Sequence, residues 1–99
     1  MFISNYLVNY YVNGKRTYTK NTVSKKDAYN TAVPPEALSL DPLNRWHLLS
    51  YLELSEKIDS LLVGETVLVC WQDYHPELDT VHVVIMRDED LWKNNVNLL

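Results

Sequence analysis

Alternating apolar residues, an Asn-Gly pair and well-placed prolines predict an α+β domain. The expected architecture is one antiparallel sheet of about four strands from two hairpins, in the order ββααββ, with the helices packed on one face. Phe2, Tyr6, Val8, Tyr10 and Val12 alternate with Asn5 and Asn9 and lead directly into Asn13-Gly14. Asn-Gly is the strongest short hairpin signal because both turn residues tolerate positive φ. A second β-rich pair of segments, residues 66–74 and 80–87, flanks the turn-forming His75-Pro76-Glu77-Leu78-Asp79. Between the two hairpins lie helix start and stop signals.

The elements follow in order. Residues 15–23 (KRTYTKNTV) form the return strand of the first hairpin, rich in Thr and Tyr. Its register has two solutions. A two-residue turn sets Thr17 and Thr19 beside Tyr10 and Val8, whereas a three-residue bulged turn sets Tyr18 and Lys20 there. Ser24 then caps a short helix, with Asp27 three residues on as its reciprocal partner. Ala28, Tyr29, Ala32 and Val33 are its apolar stripe, and Pro34-Pro35 ends it because neither proline can donate to the helix ladder. Residues 34–40 are a connector.

Asp41-Pro42 reads as the start of a second helix, with cap and proline in the first turn. Residues 43–63 are helical in character, with Gly64 as the C-terminal cap. The apolar phase drifts from a stripe of Leu48, Tyr51, Leu52 and Ser55 to one of Leu54, Ile58, Leu61 and Leu62. A bend, or a break into two helices, is therefore expected near Leu54-Ser55. In the second hairpin, Val67, Val69, Trp71, Val83 and Ile85 make a wholly apolar face. Leu68, Cys70, Gln72, His82, Val84 and Met86 make a mixed one, and strands apolar on both sides are usually central or covered. Asp88-Glu89-Asp90 before Leu91-Trp92 suits a short terminal helix with acids at its positive end. The closing Leu98-Leu99 either packs home or adds to a contact between copies, so a homo-oligomer stays open.

Composition narrows the function classes. The chain has 99 residues, one domain's worth, and 46% of them are hydrophobic. The single Cys70 excludes an internal disulfide and a cysteine-based zinc cluster, which points to a reducing, cytoplasmic setting. No apolar run approaches the roughly 20 residues of a membrane span, and the N-terminus lacks the basic start of a signal peptide. Charge is split along the chain. Residues 1–33 carry five cations against Asp27, a net +4, whereas residues 34–99 carry four cations against 12 carboxylates, a net −8. Such asymmetry speaks to partners and encounter rates.

Three candidate sites follow. Cys70, Asp73, His75, Glu77, Asp79 and His82 gather around the second hairpin loop and carry the types needed for a metal site or a cysteine–histidine pair. The plainer reading, a mid-strand hydrophobic cysteine and ordinary loop residues, is preferred. No catalytic, cofactor or metal residue is therefore assigned, and a small metal-dependent or cysteine enzyme ranks third. The basic hairpin, with Lys15, Arg16, Tyr18, Lys20, Lys25 and Lys26, combines cations with aromatic faces as single-strand-binding grooves do. Five cations are few for a nucleic-acid domain, however, and Lys and Arg also guard edge strands. Nucleic-acid binding is the alternative.

The preferred reading is a non-enzymatic protein-binding module, an inhibitor or regulator that occupies a partner with a basic surface. Its expected contact residues are Glu53, Glu56, Asp59, Asp73 and Glu77, with Tyr11 and Tyr74 as aromatic anchors. In size, tyrosine-rich hairpin and lack of a visible active site, the chain resembles many small phage and mobile-element proteins. That likeness implies a counter-defence role in an infected host, blocking a nucleic-acid-binding groove with an acidic surface.

Overall fold

The computed structural model describes residues 2–91, and side chains from residue 5 to residue 88. The first hairpin forms as its turn residues require. Asn13 (φ 53°) and Gly14 (φ 80°) both adopt positive φ, so β1 (Phe2–Val12) reverses into β2 (Lys15–Thr22) in two residues. Thr17 is then a bulge, its hydroxyl 3.4 Å from the Tyr10 carbonyl oxygen. The turn is thus the two-residue one, and the bulge still sets Tyr18 and Lys20 opposite Tyr10 and Val8.

The helical reading of residues 41–63 is corrected. Asp41 starts a turn instead of a helix. Its carboxylate accepts from the Leu43 amide at 2.9 Å, and its carbonyl accepts from the Asn44 amide at 2.8 Å. The Asn44 side chain then bonds Ser39 on one side and the Trp46 amide on the other. The chain leaves this knot extended, as β3 (Trp46–Leu48). Only after β3 does α2 (Tyr51–Asp59) begin. Ser50 is its N-cap: the hydroxyl accepts from the Glu53 amide at 3.2 Å. Ser60 closes the helix, and Gly64 (φ 89°) serves the turn into β4 (Thr66–Gln72). The drifting apolar phase thus came from a strand, a turn and a helix in succession.

Among the described residues the sheet has five strands, ordered β2-β1-β5-β4-β3 with every pair antiparallel. The fold is a small α+β one, and the described residues hold two α-helices in the element order ββαβαββ, not ββααββ. The final strand, β5 (Val81–Leu91), keeps Asp88, Glu89 and Asp90 in the ladder opposite Asn5, Ser4 and Ile3. The expected terminal helix is therefore absent at these residues. Eleven consecutive pairings with β1 outweigh the end-of-helix charge preference. Trp92 and the tail with Leu98-Leu99 lie outside the described residues.

The α1 helix (Lys25–Ala32) starts at Ser24, whose hydroxyl accepts from the Asp27 amide at 3.0 Å. One 3-10 turn, Pro35–Leu38, follows. Both helices cover the same sheet face. Ala28 and Ala32 of α1, and Leu54 and Ile58 of α2, meet Val8, Val69, Cys70, Val83 and Ile85, all at most 1% exposed. The i, i+4 spacing of Leu54 and Ile58 aims both inward, each contributing about 1.5–3 kcal/mol by burial. A register shift between Leu68 and Cys70 corrects the expected faces of β4: Cys70 joins the core, and Trp71 turns to the other side.

Candidate functional site

The strand register places one row of ring and cationic side chains across the whole helix-free face. Arg16 of β2 lies opposite Tyr11 of β1, which lies opposite His82 of β5. His82 lies opposite Trp71 of β4, and Trp71 opposite His47 of β3. Residues directly opposite in antiparallel strands point to the same face. The rings pack in pairs. Tyr11 and His82 stack with centroids 5.0 Å apart and planes 3° apart, and His47 and Trp71 with centroids 5.5 Å apart and planes 21° apart. The β4 bulge makes the row continuous, since without it Trp71 would enter the core. Beside the rings, Leu7, Val84 and Met86 are half-buried, and Leu68 is exposed.

One end of the sheet frames this row. Asn13 clasps the second hairpin loop: its amide donates to Asp79 at 2.9 Å, its side-chain oxygen accepts from the Thr80 amide at 2.9 Å, and its own N–H donates to the Thr80 carbonyl at 2.7 Å. The Asn13-Gly14 tip and residues 73–80 therefore form one rim. On that rim Asp73 meets His47 Nε2 at 2.5 Å, Tyr74 is 78% exposed, and Glu77 is exposed. The rim carries carboxylates beside an aromatic floor.

The expected contact residues thus divide. Tyr11, Asp73, Tyr74 and Glu77 come together at the ring row and its rim. Glu53, Glu56 and Asp59 lie on α2, on the other side of the sheet. Asp59 is also occupied by Lys25 at 2.7 Å, a bond that holds the Lys25 ammonium above the usual lysine range. The basic set divides as well. Arg16 shares the ring face, Lys15, Tyr18 and Lys20 take the register of the helix-covered face, and Lys25 is paired. Lys26 is exposed on α1. Trp71, expected in the core, His82, expected only in the cluster around the second hairpin loop, and His47 were not among the expected contact residues. The signal for His47 was the alternation Trp46-His47-Leu48; a bulge at Val69 has no sequence marker.

The cluster considered for chemistry does not converge. Cys70 is fully buried on the helix side, where its thiol donates to the Ala32 carbonyl at 3.2 Å, while His82 stacks on the opposite face. His75 accepts from the Glu77 amide at 3.0 Å within its own loop. Among the described residues, no three His, Cys, Asp or Glu side chains gather as metal ligands. Among them also, no helix is long and apolar enough to cross a membrane.

No protein-family model matches the chain, nor does any curated protein or any solved structure.

Proposed function

We propose that this chain is a non-enzymatic binding module that recognises a partner protein through the helix-free face of its sheet. The observation that carries the reading is the five-strand row Arg16–Tyr11–His82–Trp71–His47. Aromatic residues and arginine dominate the energetics of protein interfaces because they bury large area at low entropic cost. The acidic rim of Asp73, Glu77 and Asp79 favours a partner with basic residues around an apolar centre. Occupying that partner's surface, the module acts as its inhibitor or regulator. Stacked rings beside one arginine also suit a single nucleic-acid strand. The carboxylate rim opposes a polyanion, which ranks the protein partner first.

Affinity capture from the native cell, run in parallel with three variants, tests this. The partner should be retained by the parent and by Glu53→Lys, and lost by Tyr11→Ala and Trp71→Ala. Retention of single-stranded RNA or DNA by the parent at physiological salt, abolished by Arg16→Glu, would replace the protein reading with the nucleic-acid one.

A further inference from the structure

Asn13 is the chain's one asparagine followed by glycine. An asparagine side chain is open to attack by the backbone nitrogen of the next residue, and the attack is easiest where that residue has no side chain to shield it. Both residues are exposed at the hairpin tip, and a Cβ added to Gly14 would meet nothing within 4 Å. Water and base therefore reach this peptide unit. Asn5, Asn9, Asn21, Asn30 and Asn44 precede Tyr, Tyr, Thr, Thr and Arg instead.

The chemistry needs only water. The Gly14 nitrogen gives its proton to solvent base and bonds to Asn13 Cγ. The Cγ–Nδ2 bond breaks, and the nitrogen takes a proton from water and leaves as ammonia. Water then opens the cyclic imide. Cleavage at Cγ leaves aspartate, and cleavage at the main-chain carbonyl carbon leaves isoaspartate.

The fold holds Asn13 away from this reaction. The second hairpin loop grips both ends of its side-chain amide: the nitrogen donates to the Asp79 carboxylate at 2.9 Å, and the oxygen accepts from the Thr80 amide at 2.9 Å. The partners fix which end is which, since an ionised carboxylate only accepts and an N–H only donates. The Asn13 backbone is tied as well, its N–H donating to the Thr80 carbonyl at 2.7 Å. Turning the side chain towards Gly14 gives up its bonds to the loop. The bond to Asp79 must break in any case, because the nitrogen that makes it is the leaving group. Reaction therefore waits for the tip to open locally.

We infer that Asn13 is a deamidation site gated by this clasp, and that its conversion unlatches the rim. The product carries a carboxylate where the donor amide stood, 2.9 Å from Asp79. Two carboxylates at that separation cannot both stay ionised without repulsion. Isoaspartate also lengthens the main chain by one atom, inside the two-residue turn that sets the pairing of Tyr11 with Arg16. Residues 73–80 then lose the side-chain tie to the first hairpin. This holds whatever binds the ring face.

The full chain is kept in mildly alkaline buffer, folded or in guanidinium chloride, and peptide mapping by mass spectrometry follows conversion at Asn13. Folded conversion should be slower by about a hundredfold, about tenfold for each side-chain bond that opening breaks. Asp79→Ala should recover about tenfold of it. No conversion in either state overturns the site. A folded rate equal to or above the rate in denaturant overturns the gate. Asn13→Asp tests the product directly: amide exchange at Thr80 and in residues 73–80 should quicken by about tenfold. Adding Asp79→Asn to that variant should restore the parent's exchange, because donor and acceptor have changed places. Parent-like exchange in Asn13→Asp overturns the unlatching, and failure of the double variant to restore it overturns facing carboxylates as the cause.

Discussion

Tyr10 and Cys70 do the work of a C-terminal cap from outside the helix. α1 ends without a glycine or a basic residue in its last turn, and its final carbonyls need donors. The Tyr10 hydroxyl supplies one, 2.8 Å from the Thr31 oxygen and 3.1 Å from that of Ala32, and the Cys70 thiol also donates to Ala32. Burial pushes both groups up to about 12, from ordinary values of 10.0 and 9.0, and the nearby Cys70 adds to the effect on Tyr10. The folded chain thus keeps protons that the unfolded chain gives up in mild alkali. The stability they contribute is complete below the unfolded values and falls as pH rises from about 9 towards 12. Urea melts across that range should show the loss, and Tyr10→Phe should flatten the part of it above pH 10. In the native state at neutral pH, Cys70 should react with thiol reagents only as fast as the chain unfolds. Rapid labelling of the folded protein would contradict its burial.

At the scale of elements, local chemistry was readable wherever it acted alone. The Asn13-Gly14 turn, the Ser24 cap and the Pro34 stop stand where the sequence predicts them, because each depends on neighbours within a few residues. The errors came where two local signals competed or where tertiary pairing decided. Asp41-Pro42 suits both a helix start and a turn, and the Asn44 side chain tips it to the turn. The actual start of α2 was written in Ser50 and Glu53, three apart, inside a stretch already assigned to helix. Ser50→Ala should cost about 1 kcal/mol, lowering Tm by about 4–8 °C for a domain of this size. An unchanged Tm would mean that α2 does not depend on this cap. The bulge in β4 was the least legible feature and the most consequential, since it moved Trp71 from core to surface. Val69 remains in the core at 0% exposure. Val69→Asp should abolish the cooperative melt by burying a charge without a partner.

Across the whole molecule, the charge split becomes a spatial arrangement. Lys15, Arg16 and Lys20 line the outer strand β2, guarding that edge against pairing with other chains. The loop carboxylates Asp73, Glu77 and Asp79 gather at the end where both hairpins turn. The ring row runs between them, so the face proposed for binding combines a ring floor with a carboxylate rim, and the two should separate kinetically. Trp71→Ala should act on dissociation, raising koff by about tenfold or more, as loss of a central aromatic anchor does. Glu77→Lys leaves the floor intact and should slow association instead, with a deficit that shrinks as salt is raised. Glu77 is the better probe of the rim because Asp73 and Asp79 also hold His47 and Asn13 in place. Surface plasmon resonance against the captured partner at two salt concentrations reads both rates. If Glu77→Lys changes neither rate while reversing Glu53 and Glu56 slows association, encounter is governed by α2, and the partner approaches from the helix-covered side.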